Sequence, residues 1–302
     1  MIALIDGDHM ASRAFYALEN YRGAYGQPAG AIYGFIQALG RVCHQLVPYF
    51  VVVCWGDRRA NLWRRQLYPE YKANRKETPE EFISQVRMIQ ELLEGMGLCQ
   101  TLCPTFEADD AIAAITTDCV AATREVSIVT GDHDLFQLIR NKRPAVCCHV
   151  PVKGEGYRKV TEEDVIEKFG VSPKLLPMFM ALKGEKGEAE GVPGIGRKRA
   201  AEYILGQASD AVNAKVKAYQ DRIALNLKLV NLLEIKTEEL TPSTLSVMPA
   251  EYDEMRVLAV LRQAGLTGRR SLLSEVRSTL GYYQETQRRG AHSMDDILDE
   301  VR

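Results

Sequence analysis

Ile2-Ala-Leu-Ile-Asp6-Gly7 opens the chain with four apolar residues closed by an acid and a glycine, and the pattern recurs. Phe50-Val-Val-Val-Cys54 runs on to Asp57, residues 98–103 lie shortly before Glu107-Ala-Asp109-Asp110, and Val126-Ser-Ile-Val129 is followed by Asp132-His-Asp134. Short β-branched runs separated by longer stretches of helical spacing predict a buried parallel sheet with helices on both faces. Residues 31–46 repeat Ile32, Phe35, Ile36, Leu39, Val42 and Cys43 at that spacing, and residues 82–96 repeat Phe82, Val86, Ile89, Leu92, Leu93 and Met96. Right-handed strand–helix–strand units of this kind give an α/β fold with a central, mostly parallel sheet.

Residues just beyond the carboxyl ends of parallel strands converge on one crevice, so acids from several strands can form a single anionic site. Such a site needs cations. Magnesium takes near-octahedral oxygen ligands, keeps several waters and is held by a few carboxylates plus substrate phosphate. Glu107 and Asp110, three residues apart, share a helix face and can share an ion. A plainer reading of each acid stays open: Glu107, Asp109 and Asp110 complement the positive end of a helix running to residue 121, and Asp132 caps the helix after Thr130-Gly131. Caps alone give no reason for acids to follow successive strands.

Composition excludes several classes. With 302 residues, 46% hydrophobic and 26% charged, the chain can bury one large core or two smaller ones. No apolar stretch approaches the roughly 20 residues of a membrane span, and the opening apolar run is too short for a signal-peptide core, so a cytoplasmic setting and no membrane partner are expected. The seven cysteines include no C-x-x-C pair and read as reduced core residues.

A formal net charge of −2 hides a local excess of cations. Arg58, Arg59, Arg64, Arg65, Lys72, Arg75 and Lys76 face a single acid, Glu70, with Trp63, Tyr68 and Tyr71 among them. Basic groups neutralise phosphates and aromatic rings stack on unpaired bases, so this segment directly after Asp57 reads as a clamp for a threaded strand. Taken alone it would read as a solvated charged face. Gly191-Val-Pro-Gly194-Ile-Gly196 followed by Arg197-Lys198-Arg199 reads as a phosphate cradle, since glycines allow close backbone approach and free amides begin the next helix. Its plainer reading is a tight helix–helix connection.

In this order the motifs resemble those of the 5′ nucleases: Asp6-Gly7 with Arg13, Gly56-Asp57 with Trp63-Arg64, Tyr68-Pro-Glu-Tyr-Lys-Ala-Asn-Arg75, Glu107-Ala-Asp-Asp110, Thr130-Gly-Asp-His-Asp134, and Gly191-Val-Pro-Gly-Ile-Gly196 with Lys198-Arg199. The chain is similar over roughly residues 1–235 to bacteriophage flap endonucleases and 5′→3′ exonucleases and to the 5′-nuclease domain of bacterial DNA polymerase I. The resemblance implies a 5′-nuclease/PIN-like core over 1–170 with a basic helical arch at about 58–80. It also implies a helical region over 171–302 with a helix-hairpin-helix-like element at about 174–206.

The resemblance assigns roles. Asp6, Asp57, Glu107, Asp109, Asp110, Asp132 and Asp134 match metal-binding acids, with Mg2+ as the ion and Mn2+ able to substitute. Lys72 and Arg75 match arch residues that contact the scissile phosphate, Tyr71 a stacking ring, and Arg13 an arginine near the active site. Arg58 and Arg64 belong to the DNA-facing set, with Gly191, Gly194, Gly196, Arg197 and Lys198 gripping duplex, often with K+ at the turn. Metal-assisted hydrolysis at a free 5′ end, flap or single-strand to duplex junction of DNA is implied, an RNA primer on DNA being a compatible substrate. A monomer in a phage-infected or bacterial cytoplasm is expected.

One stretch departs from the family pattern. Relatives carry Gly-Asp-x-x-Asp-Asn where this chain has Gly184-Glu185-Lys186-Gly187-Glu188-Ala189, one residue shorter before Gly191. Glutamate moves its carboxylate outward by about 1.3 Å, a large displacement for an ion held at roughly 2.0–2.1 Å. Compensation by the shorter loop or by Glu190 is open, and so is loss of the second ion, which would leave a junction-binding protein with little cleavage. A ribonuclease of related fold is the third reading. His133 is expected to point away from the two acids beside it, and residues 283–302 read as a polar tail with a short amphipathic helix.

Overall fold

The computed structural model describes residues 1–57, 62–185, 189–236, 240, 252–268, 272, 274–279 and 281. The short helix expected near the C-terminus, Arg58 and Glu188 fall outside them.

Six strands form the main sheet: β1 (Ile2–Asp6), β2 (Phe50–Gly56), β3 (Cys99–Cys103), β4 (Val126–Val129), β5 (Val146–Val152) and β6 (Gly156–Val160). Their order is β3-β2-β1-β4-β5-β6, parallel throughout except for the antiparallel β5–β6 hairpin. β1, β2 and β4 are buried at every position, as strands covered on both faces must be, and this explains their unbroken apolar runs. At the edge, β3 alternates and leaves Leu102 exposed. The mostly parallel sheet expected from sequence is therefore present.

Connections supply the layers. α1 (Gly7–Ala17) and α2 (Gly30–Leu46) pack on each other between β1 and β2 in sequence. After β2 come the short α3 (Trp63–Leu67) and α4 (Glu80–Gly95), then α5 (Ala108–Ala121) joins β3 to β4. The chain builds outward from β1 to β3, then returns to place β4 on the other flank of β1. That reversal opens a crevice beyond the carboxyl ends of β1 and β4, the switch point where such sheets bind ligands.

Beyond the sheet follow α6 (Glu162–Phe169), α7 (Leu176–Lys183), α8 (Arg197–Ile204), α9 (Asp210–Ala218), α10 (Gln220–Val230) and α11 (Glu254–Gln263). Between α7 and α8, Gly184–Glu185 and Ala189–Glu190 form a two-stranded pairing, β7 with β8. The apolar core is continuous from the sheet into these helices. Gln137 ties the two parts together: its Nε2 donates to the Val230 carbonyl at 3.1 Å and its Oε1 accepts from Leu232 N–H at 2.8 Å.

Candidate active site

Asp6 ends β1 and caps α1. Its Oδ1 accepts from His9 N–H at 2.9 Å and its Oδ2 from the Thr130 hydroxyl at 2.8 Å. Thr130 in turn accepts from Asp132 N–H at 3.0 Å, and Asp132 Oδ1 accepts from Asp134 N–H at 3.0 Å. One buried hydroxyl thus locks the β4 loop onto the end of β1. Gly131 is required here, because a Cβ would collide with the His9 imidazole. His9 Nδ1 accepts from Gly131 N–H at 3.3 Å.

Asp109, in the first turn of α5, faces the same crevice. Burial pushes its carboxyl well above the ordinary value, and the charges of Asp132, Asp6 and Glu107 push it further. Burial likewise pushes Asp6 up to about 7, with Asp8 and Asp132 adding repulsion against the hydrogen bonds from His9 and Thr130. Three acids from three segments of the chain are therefore close enough to repel one another in a desolvated crevice. The N-termini of α1 and α5 offset part of that repulsion. A divalent cation would offset far more, so the donor set fits one. Among the described residues no three His, Cys, Asp or Glu side chains are grouped so as to hold a metal ion. Waters and substrate phosphates ordinarily complete such a magnesium site.

The other acids have different partners. Asp110, fully buried, receives both terminal nitrogens of Arg64, at 2.7 and 2.6 Å, together with Trp63 Nε1 at 3.1 Å and Glu107 N–H at 3.0 Å. The ion shared by Glu107 and Asp110 is thus replaced by Arg64, an ion pair closing the start of α5. Burial would raise the Glu107 carboxyl, but Lys72 and Arg64, with hydrogen bonds from Lys72 and Tyr71, hold it below its ordinary value. Lys72 Nζ lies 2.6 Å from Glu107 Oε1 and the Tyr71 hydroxyl 2.8 Å from Glu107 Oε2. Asp57 accepts from Thr105 N–H at 2.8 Å and fastens the loop after β3.

Two of the expected DNA-facing side chains turn inward. Arg64 is 3% exposed, with Nε donating to the Leu229 carbonyl at 2.7 Å, and Tyr71 is 4% exposed. Burial of the first is stabilised by the carboxylates across from it and of the second by its phenol–Glu107 bond, so neither is presented to a nucleic acid in this conformation. Lys72, also nearly buried, adopts a left-handed backbone (φ 53°) that swings its amine onto Glu107. Arg13 lies seven residues past Asp6, about 10 Å along α1, and lines one cavity with Arg41 and Tyr157 and an adjoining one with Gly131 and His133, on either side of Asp132.

On the opposite flank, Glu185 is exposed and pairs with Lys183 at 2.7 Å. It is still near enough to act on the charge of His133. Glu190 pairs with Arg222 at 3.0 Å and so is engaged away from the crevice. His133 does point outward, its Nε2 2.7 Å from Lys168 Nζ. Gly194 (φ 76°) and Gly196 shape the turn before α8, and Gly191 packs against the backbone of Lys183 and Gly184. Lys198 extends into solvent, Arg199 donates to the Gly194 carbonyl at 2.7 Å, and Arg197 donates to the Lys168 carbonyl while lying over Phe169.

Asp8, His9 and Lys215 escaped sequence reasoning, and Thr130 was read only as part of its motif, without the role of its hydroxyl. Asp8 accepts from Gly56 N–H at 2.7 Å and joins β2 to α1, and Lys215 brings its amine beside Gly194. The Asp6-Gly-Asp8-His9 run was the one local signal for the first two. All seven cysteines are free, and burial pushes Cys43, Cys99 and Cys119 up to about 12, in keeping with core thiols.

An open sheet with buried carboxylates at its switch point defines an α/β protein with an acidic crevice. The chain belongs to the 5′ nuclease family: residues 1–170 match the family model described as 5′-3′ exonuclease, N-terminal resolvase-like domain. It is 35% identical over 273 residues to DNA polymerase I of Mycobacterium tuberculosis and 32% over 244 residues to the thermostable DNA polymerase I of Thermus aquaticus. Those alignments take in 85% and 76% of this chain but only 30% and 28% of the relatives. The fold matches T5 5′-exonuclease with bound zinc ions (TM-score 0.62, 18% identity, 93% of this chain and 99% of that one). It also matches flap endonuclease-1 from Methanococcus jannaschii (TM-score 0.60, 18% identity, 94% and 93%).

Proposed function

We propose that this chain is a structure-specific 5′ nuclease that hydrolyses phosphodiesters at free 5′ ends or flaps of DNA with bound Mg2+. The observation that carries the reading is the mutual repulsion of Asp6, Asp109 and Asp132 in a desolvated switch-point crevice. A bound divalent ion would acidify a water and polarise the phosphodiester. Asp6, Asp109 and Asp132 would hold it, with Asp134 and Glu107 beside them. Lys72 would leave Glu107 for the scissile phosphate, and Arg75 would join it in stabilising the developing charge. Residues 1–170 would carry this chemistry. The turn at Gly194 and Gly196, with Lys198 and Lys215 beside it, would position duplex without reading sequence, a monovalent cation such as K+ assisting there. A monomer suffices, and an RNA primer on DNA suits the same site.

A 5′-labelled flap incubated with magnesium tests this. Wild type should cleave and Asp109→Ala should bind without cleaving, a loss beyond the roughly 10–100-fold typical of residues one shell removed from a metal. Lys72→Ala should slow single turnover by about 10²–10³, as when one charge-stabilising donor is removed. Equal rates in wild type and Asp109→Ala would sink the reading. A second reading, a junction-binding protein of weak activity, is favoured by Glu185 standing exposed and paired with Lys183. Binding without cleavage by wild type would select it.

A further inference from the structure

Behind the acid cluster, α1, α2 and the β5–β6 edge border a solvent-open cavity of about 240 Å³. His9 and Thr130, which brace Asp6 and Asp132 on one side, line it on the other, and Arg13, Arg41 and Tyr157 complete its polar lining. No aspartate or glutamate is among the lining residues. Tyr157 is 7% exposed, and its backbone is fixed by Gln45, which donates to its carbonyl at 2.6 Å and accepts from its N–H at 2.9 Å. Its hydroxyl has no hydrogen-bond partner among the described residues. Burial raises the phenol's pKa while Arg13 and Arg41 both pull it down, so the two guanidiniums act on the same ring.

Arg13 and Arg41 are both solvent-exposed, and neither has an ion-pair or hydrogen-bond partner among the described residues. A neighbouring arginine of the same edge, Arg158, is neutralised by Asp164 at 2.9 Å. Two unpaired guanidiniums and an unpartnered, buried phenol form a donor set for a compact dianion, since guanidinium forks match phosphate oxygens in geometry as well as charge. The remaining walls, among them Met10, Ala14 and Pro151, are apolar and suit a sugar or base face. A volume just under the roughly 300–1,000 Å³ of ordinary small-ligand pockets admits one nucleotide and excludes duplex.

We propose that this cavity binds the phosphomonoester of a 5′-phosphorylated nucleotide, with Arg13 and Arg41 on the phosphate and the Tyr157 hydroxyl as third donor. The choice of a nucleotide rests on the 5′-nuclease reading; the anion site itself stands on the cavity. Two sources supply that chemistry: the 5′-terminal phosphate of the strand being processed, and a released mononucleotide.

Calorimetric titration of the metal-free protein in chelator with dTMP, thymidine and inorganic phosphate tests the site without involving the acid cluster. dTMP should bind and thymidine should not. Arg41→Ala and Tyr157→Phe should each weaken dTMP at least about tenfold, the loss of one charge-assisted hydrogen bond, while melting as wild type does. Undetectable dTMP binding at millimolar concentration, or affinity unchanged in both variants, would overturn the proposal, and inorganic phosphate binding as tightly as dTMP would overturn the nucleotide assignment. A preference for 5′-phosphorylated over 5′-hydroxyl flaps that vanishes in Arg41→Ala would assign the site to the strand terminus. Inhibition by dTMP that vanishes in that variant would assign it to released product. Wild type that binds dTMP but cleaves no flap removes the nuclease reading and leaves the site, whereas normal cleavage without dTMP binding removes only the site.

Discussion

Two groups of carboxylates meet at the start of α5 and have opposite electrostatic fates. Glu107 and Asp110 close the start of α5 against Arg64, Lys72, Trp63 and Tyr71, and Asp110 has both oxygens occupied. Asp109, between them in sequence, is raised by the charges of Asp132, Asp6 and Glu107, with Lys72 offsetting only part of that repulsion. Helical periodicity makes the difference: adjacent residues of a helix face directions about 100° apart, so one can seal the helix start while its neighbour enters the crevice. The first group holds the fold together and the second stores repulsion that a divalent cation would relieve.

The contrast breaks first at Asp110. Asp110→Ala strands the Arg64 guanidinium in the interior and should cost about 3–5 kcal/mol, the usual penalty for removing one partner of a buried pair. Urea denaturation measures it, and a variant as stable as wild type would mean the pair holds nothing. Replacing both, as Arg64→Met with Asp110→Leu, should recover much of the loss.

Protonation sharpens the contrast next. Asp6 is raised to about 7 from an unfolded value of 3.8, and Asp109 is raised too, so folding takes up protons between those values. The contribution of Asp6 to stability is fully present below pH 3.8 and is lost as pH rises through about 7, and that of Asp109 is likewise lost as pH rises through its raised value. Glu107 is lowered and acts oppositely: its contribution is present above its unfolded value of 4.5 and lost as pH falls through its folded value. The metal-free protein should therefore be most stable between about pH 3.8 and 4.5 and lose stability as pH rises from there to about 7, with little further change above. Asp109→Asn should flatten that fall and magnesium should restore stability at neutral pH; a flat profile in wild type would remove the stored repulsion. The smallest effect belongs to the exposed Lys183–Glu185 pair, where Glu185→Ala should change stability by less than about 1 kcal/mol. A larger loss in thermal melts would mean the pair supports the β7–β8 connection.

Much of this was legible in the sequence. The four buried runs became β1 to β4 within a residue or two, the helical spacings became α2 and α4, and the glycine turn before Arg197 leads into α8. Asp6 and Asp132 were legible as strand-end acids because the strand end itself is a local feature. Arg64 and Tyr71 were read as facing a nucleic acid because both sit in a run of cations. Their partners lie 46 and 36 residues away in sequence and no local pattern announces them. Arg41 and Tyr157, 116 positions apart in the chain by their numbers, gave no motif at all.

Hydrophobic periodicity and β-branched runs, which depend only on neighbouring residues, determined the strands, the helices, the α/β class and the positions of acids at strand ends. Which acid is paired, which is left among like charges, and which cations remain without partners was decided by tertiary structure. Charge pairing depends on distances across the fold and on the loss of water around each group, and both come into being only when strands β1, β2 and β4 and helix α5 are brought together.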